Sequence, residues 1–308
     1  MPERDVPGAP SPAGALPPAT VVVCSRNRPQ LLLDTVESVL AGDELPAELV
    51  VIDQSDAPHE ALAARASDAA SRVRYLWTRE TGVSRGRNAG LAAARHDIVA
   101  FTDDDVFVDR NWLAALVRAL AAAGPRAVVT GRVLSTPAEA PGGFAPALVA
   151  SEVPAVYEGR PGRDVLEAGN MAAYRAALQA VGGFDESLGP GTRFPAGEDN
   201  DFGYRLLAAG LRILYVPGAT LYHRAWREGG EYLPLRWRYG IGQGAYYAKH
   251  LSLADRYMLR RMGKLVVRHA TLAARRAPRE PRPALGHLVY IAGLLVGATR
   301  WRLARGGR

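Results

Sequence analysis

Cysteine is almost absent from this chain. The 308 residues contain one, Cys24, which excludes an internal disulfide and suits a reducing compartment. Its place in the apolar run TVVVCS reads as a buried structural thiol. The first nineteen residues, MPERDVPGAPSPAGALPPA, lack the continuous apolar stretch of a secretory signal, and their composition predicts a disordered leader over 1–19. No internal repeat is present. A basic surplus is also missing where a nucleic-acid surface would need it. Net charge is +7, but residues 251–308 hold thirteen Lys+Arg against two Asp+Glu, leaving the first 250 residues at −4. Nucleic acid is therefore not an expected partner.

What is present is alternation. ATVVVCSR, AELVVIDQSD, VRYLWTRE and DIVAFTDDD read as strands. Between and after them, RPQLLLDTVESVLAG, HEALAARASDAA, GVSRGRNAGLAAARH and RNWLAALVRALAAAG read as helices or a loop running into one. Four such alternations, with strands apolar on both faces, predict an α/β fold built on a doubly wound, mostly parallel sheet. Further on, RAVVTGRVLS reads as a strand and NMAAYRAALQAVGG as a helix. EDNDFGYRLLAAG reads as an acid-headed helix and LRILYVPGATLYH as a strand ending in histidine. From Leu233 the pattern turns helical and arginine-rich.

The acids fall where such a sheet keeps its ligands, outside the carboxyl ends of the strands. Asp53 ends the second strand, and Asp103-Asp104-Asp105 ends the fourth. In an extended segment alternate side chains share a face, so Asp103 and Asp105 are expected to point together and Asp104 away. Two carboxylates on one face suit a hard divalent cation, Mg2+ or Mn2+. The competing reading is a solvated acidic loop favouring the N-terminus of the helix at Trp112.

TVVVCSRNRPQLLLDTVESVL, LVVIDQSD, TGVSRGRNAGLAAARHDIVAFTDDDV and GGFDESLGPGTRFPAGEDNDFGYRLLAAG together resemble family 2 glycosyltransferases, in order, over residues 20 to 225. The resemblance implies an inverting enzyme with the GT-A, nucleotide-sugar-binding fold. A Rossmann-like nucleotide-sugar half would span 20–105, an acceptor half 106–225, and a helical, basic extension 226–308. It further implies that Cys24, Ser25 and Arg26 lie against the nucleoside, that Asp53 accepts from the base, and that Arg87 and Asn88 order the nucleotide side. Asp103 would face ribose or sugar, with Asp104 beside it on the donor side. Asp105 would hold the metal together with Asp103 and, as a further ligand, His223. Asp199 would be the catalytic base and Glu198 the acid that orients the acceptor. The donor would be a nucleotide-diphospho-sugar, a UDP-sugar by the family's habit, and the acceptor a carbohydrate or lipid-linked hydroxyl.

Two departures shape these expectations. IDQSD differs from the family's usual pattern after the second strand. LPLRW has Leu233 where processive members carry glutamine, which points to one transfer per encounter. Two other readings stay open: an inactive nucleotide-sugar-binding scaffold, and a nucleotidyltransferase, although CSRNRPQ has no glycine for a phosphate loop.

Pro283 to Thr299 carry no formal charge and lie between Arg282 and Arg300. As a helix these residues would reach about 26 Å, short of a hydrocarbon core of about 30 Å. Their arginine flanks favour an anionic membrane surface, hence a peripheral position on the cytoplasmic face. A helix packed on the domain is the alternative.

Overall fold

A computed structural model describes residues 14–306 apart from 140 and 253, so most of the expected leader lies outside the described residues. Among the described residues nine strands form one sheet in the order β3-β2-β1-β4-β8-β6-β9-β5, with β7 on β9. They are β1 (Ala19–Ser25), β2 (Glu48–Asp53), β3 (Val73–Trp77), β4 (Ile98–Asp103), β5 (Val106–Val108), β6 (Ala127–Ala138), β7 (Ala155–Tyr157), β8 (Asn170–Tyr174) and β9 (Arg212–Ala225). The helices are α1 (Pro29–Leu40), α2 (Glu60–Ala66), α3 (Val83–Ala93), α4 (Trp112–Ala123), α5 (Arg175–Ala180) and α6 (Glu198–Ala208). Beyond the sheet come α7 (Tyr232–His250), α8 (Tyr257–Arg276) and α9 (Pro281–Gly306).

The period-two alternation of a strand explains the double winding. Along β1, Val21 and Val23 join a core with Leu32 and Val36 of α1 and Leu116 of α4. Val22 faces the other way, into a core with Leu91 of α3, Leu178 of α5 and Phe202 of α6. β3, β2, β1 and β4 are parallel, as expected. The second half is mixed: β8 runs antiparallel to both β4 and β6, whereas β6 and β9 are parallel.

β8 corrects the expectation of one helix over NMAAYRAALQAVGG, because only Arg175–Ala180 is helical. Met171, Ala172 and Ala173 are wholly buried between two neighbouring strands, and that pairing overrides their helix preference. Asn170 anchors the strand. Its Oδ1 accepts from Trp112 Nε1 at 2.8 Å, and its Nδ2 donates to the carbonyls of Arg132 and Ala219.

α7 and α9 pack backbone to backbone. Gly240 on α7 meets Gly293 on α9, Gly297 on α9 faces the Ile241 backbone, and a methyl group at Gly244 would stand 2.0 Å from the Leu294 carbonyl oxygen. Paired small residues four apart allow this approach. α9 is also longer than the uncharged stretch suggested. It is one helix long and apolar enough to cross a membrane by length and composition, and 44% of its apolar window is buried in the protein.

Candidate active site

The parallel strands end side by side, with Ser25 opposite Asp53 and Cys24 opposite Asp103. Beyond these ends opens a cavity of about 600 Å³, lined from one side by Cys24, Ser25, Arg26, Arg28 and Asp103–Asp105, and from the other by Glu167, Glu198 and Asp199. Six carboxylates and five arginines reach it.

Arg87 ties the two sides together. Rooted on α3 and almost fully buried, it donates through Nη2 to Asp103 Oδ1 and through Nη1 to Asp199 Oδ1, both at 2.8 Å. Glu198 lies 3.7 Å from the same guanidinium. Gly169 makes room for this arrangement, since a side chain there would run into the Asp103 carboxylate at 2.2 Å. Asp199 Oδ2 also accepts from the Ala168 N–H at 3.3 Å. Burial raises the Asp199 pKa and Arg87 works against the rise. Burial, then the neighbouring Asp199, push Glu198 up to about 8. Glu167 is likewise pushed up to about 8, by burial and then by Asp199, Asp103 and Glu198.

The acidic triplet is not arranged by simple alternation. β4 stops at Asp103 and the chain bends through Asp104 and Asp105. Asp104 therefore does not point away. It is buried, accepts from Ser25 Oγ at 2.6 Å and Arg28 Nη1 at 2.8 Å, and lines the same cavity. Burial lifts it to about 6 despite Arg28. Asp105 is buried beside it and meets Trp226 Nε1 at 3.0 Å, Arg227 Nη2 at 3.4 Å and Arg28 Nη1 at 3.5 Å. Burial would raise its pKa, but His223, Arg28 and Arg227 outweigh it and hold it below the usual carboxylate range.

Pairing of Val106 with His223 across β5 and β9 brings the histidine to Asp105, with Nε2 and Oδ1 3.6 Å apart. Among the described residues no group of three or more His, Cys, Asp or Glu is arranged to hold a metal ion. Adjacent octahedral ligands at about 2.1 Å lie about 3 Å apart, so the pair would close by about half an ångström to share such an ion. Carboxylate and imidazole are also suitable donors for such a cation. Asp103, expected as a second metal carboxylate, is bonded to Arg87 instead.

Other expected donor residues lie less directly on the cavity. Asp53 ends β2, but its carboxylate accepts from Tyr75 Oη at 2.5 Å and the Ser55 N–H at 2.9 Å, and it stands outside the lining. Asn88 is also outside the lining. It bonds both backbone groups of Phe184 and so pins the loop before α6. Cys24 reaches the wall as a thiol whose pKa burial pushes up to about 12. Arg28, Glu167, Trp226 and Arg227 were not anticipated. The run HRAWR, with two arginines and a tryptophan directly after the expected histidine, was the available signal.

Residues 20–155 match the family described as Glycosyl transferase family 2. That stretch belongs to glycosyltransferase family 2. A pre-mycofactocin glycosyltransferase of Mycobacterium tuberculosis is 33% identical over 150 residues, covering 46% of this chain and 30% of the relative. The glucosyl-dolichyl phosphate glucuronosyltransferase of Haloferax volcanii is 34% identical over 101 residues, 32% of each chain. The chain thus spans about a third of the length of these curated relatives. Among solved structures, a mannosyltransferase from Pyrobaculum calidifontis in complex with GDP-Man and Mn2+ superposes with a TM-score of 0.63. It is 18% identical and covers 98% of this chain and 92% of its own. S. aureus TarS 1-349 in complex with UDP-GlcNAc gives 0.54 at 14% identity, covering 93% and 92%. The likeness in fold to these glycosyltransferase structures therefore extends through both halves of the sheet and into the C-terminal helices.

Proposed function

We propose that this family 2 protein transfers one sugar per encounter from a nucleotide-diphospho-sugar to an acceptor hydroxyl, with inversion, in the synthesis of a cell-surface glycan or glycolipid. The observation that carries the reading is the Arg87 bridge, which holds Asp103 at the donor end of the sheet and Asp199 at the head of α6 on two arms of one guanidinium.

In this reading Asp199 takes the acceptor hydroxyl's proton as its oxygen bonds to the anomeric carbon. The bond from that carbon to the diphosphate breaks on the opposite face, which inverts the configuration. A positioned base of this kind contributes roughly 10²–10⁴-fold. Arg87 keeps the base oriented, and its lowering effect opposes the rise that burial imposes. Glu198, whose pKa burial and the neighbouring Asp199 push up, is suited to donating to a second acceptor hydroxyl. Arg28 and Arg227 stand ready for the charge that grows on the departing diphosphate. Asp105 and His223 are the residues that would hold Mn2+ or Mg2+. Such an ion, when bound, supplies further positive charge to the diphosphate.

The C-terminal helices favour a place on the cytoplasmic face of an anionic membrane. Leu285, Leu288, Leu295 and Leu303 lie on one side of α9 and are 46%, 52%, 54% and 73% exposed. Arg282, Arg300 and Arg302 flank them, an arrangement suited to headgroup phosphates beside acyl chains.

A donor screen tests the reaction. UDP-, GDP- and dTDP-sugars are offered with Mn2+, and release of nucleoside diphosphate is followed with and without candidate glycan acceptors. Release from one donor, abolished in Asp199→Asn, is the expected result. No binding and no release with every donor would overturn the proposal.

A further inference from the structure

The cavity does not end at the sheet. Its far wall is built by the C-terminal helices, through Arg236 and Tyr239 of α7, His269 of α8 and Tyr290 of α9. None of these residues takes part in the chemistry described above.

Arg236 differs from every other arginine on the cavity. Arg26 faces Asp56, Arg28 faces Asp104, Arg87 faces Asp103 and Asp199, and Arg227 faces Asp105. Arg236 has no carboxylate within ion-pair distance among the described residues. Its Nη2 instead meets His269 Nδ1 at 3.3 Å, its Nε donates to the Gly286 carbonyl at 3.4 Å, and its guanidinium lies 4.6 Å from the centre of the Tyr290 ring. A half-buried guanidinium without an anion is a costly arrangement, and one that a ligand would complete.

The histidines beside it bring no negative charge to balance it. A guanidinium only donates, so His269 Nδ1 must accept from it. His287 Nδ1 lies 3.0 Å from the same atom and must therefore carry the proton of that contact. With both rings neutral, His269 keeps its proton on Nε2 and His287 Nε2 holds a lone pair. That second atom is buried with no partner among the described residues. Burial first, and then Arg236, hold both rings below the ordinary histidine range, His269 at about 3. The phenols of Tyr239 and Tyr290 likewise have no hydrogen-bond partner among the described residues. The amide of Gln243, which could have offered an acceptor, is already bonded to Asp164 and Asn200. This wall offers positive charge, a ring N–H and two hydroxyls, and no carboxylate.

A guanidinium with no carboxylate partner favours an anion over a neutral sugar, and an oxyanion can be held by donors alone. We propose that Arg236, with His269 and the two phenols, holds an anionic group of the acceptor, of the phosphate class, while its hydroxyl lies at Asp199. The proposal deepens the reading of the cavity as a sugar-transfer site and rests on it. The phosphate could belong to a lipid-linked acceptor or to a soluble sugar phosphate.

Inorganic phosphate is the first probe, titrated calorimetrically into the full chain with UDP or GDP and Mn2+ already saturating the donor end. The wild type is expected to bind phosphate under these conditions. Arg236→Gln should weaken that binding by about tenfold or more, the loss of one hydrogen bond to a charged group. Arg236→Lys keeps the charge and should recover part of the affinity, which separates a lost site from a misfolded variant. Nucleoside diphosphate affinity should stay unchanged in both. Unaltered phosphate binding in Arg236→Gln would overturn the proposal, as would an equal loss of nucleoside diphosphate, since Arg236 would then serve the donor. If the wild type binds no nucleoside diphosphate at all, the transfer reading fails, and phosphate titration alone still reports on Arg236. Dodecyl phosphate and glucose 1-phosphate then distinguish the source. Tighter binding of the first supports the site with a lipid-linked acceptor, and tighter binding of the second supports it with a soluble one.

Discussion

Asp201 fixes the helix that carries the proposed base, and its effect on stability is calculable. It is wholly buried, and its carboxylate meets Lys249 Nζ at 2.6 Å, His250 Nε2 at 2.7 Å and Arg205 Nε at 2.8 Å. Burial alone would raise its pKa, but His250, Lys249 and Arg205 bring it from 3.8 down to about 2. At 1.36 kcal/mol for each pKa unit, that gap corresponds to about 2 kcal/mol of folding stability at neutral pH. The folded pKa is the lower one, so on acidification the unfolded chain takes up the proton first. The contribution is thus complete above about pH 5, roughly half gone by pH 3, and lost below about pH 2. Asp201→Asn removes it and leaves Arg205 without its carboxylate, while Lys249 retains Asp185 at 2.6 Å. Urea unfolding of wild type and variant from pH 7 to pH 3 measures the difference. The stability gap should shrink by about 1 kcal/mol across that range. A gap independent of pH would refute the assignment of Asp201 as a charged anchor.

Further outcomes follow from the same geometry. Arg87→Lys keeps one charge but cannot reach Asp103 and Asp199 with two arms, so turnover should fall by at least about tenfold with the fold intact by circular dichroism. Wild-type turnover in that variant would show that the bridge is dispensable. Gly244→Ala places a methyl group against the α9 backbone and should cost about 1–3 kcal/mol in urea unfolding. Gly263→Ala on α8, with open space around it, should be neutral or stabilising by up to about 1 kcal/mol; equal effects would contradict the close packing of α7 on α9. Leu285→Ser/Leu288→Ser/Leu295→Ser should lose co-sedimentation with anionic vesicles, and unchanged sedimentation would argue against a membrane-facing α9.

Much of this fold was legible because it is written locally. β1, β2 and β4 are apolar on both faces and end in polar or charged residues, and all four parallel strands start within a residue of their expected place and end one to three residues early. β8 was not legible, because NMAAY carries small residues with helix preference and becomes a strand only between β4 and β6. The acids of the site were visible as unusual clusters, whereas their pairings were not. Arg87 was expected at the site from its motif and Arg227 was signalled only by the run HRAWR, and only the folded chain shows which carboxylates they and Arg28 meet. Asp104 was misplaced by extending strand geometry past the residue where β4 ends. Asp201, only two residues beyond Asp199, is instead fully engaged by Arg205, Lys249 and His250 away from the cavity lining. The glycines of α9, which weaken a membrane span in isolation, find their use in the close approach of α7.

The central claim is that Asp199 acts on the acceptor and not on the donor. Asp199→Asn keeps the side chain's shape and its bond from the Ala168 N–H while removing the proton-accepting carboxylate. The decisive measurement is donor affinity by calorimetry beside steady-state turnover of the same preparation. Donor affinity within about twofold of wild type, with turnover lower by roughly 10²–10⁴-fold, is the predicted result. Normal donor binding with near wild-type turnover would contradict it and place the base elsewhere in the cavity.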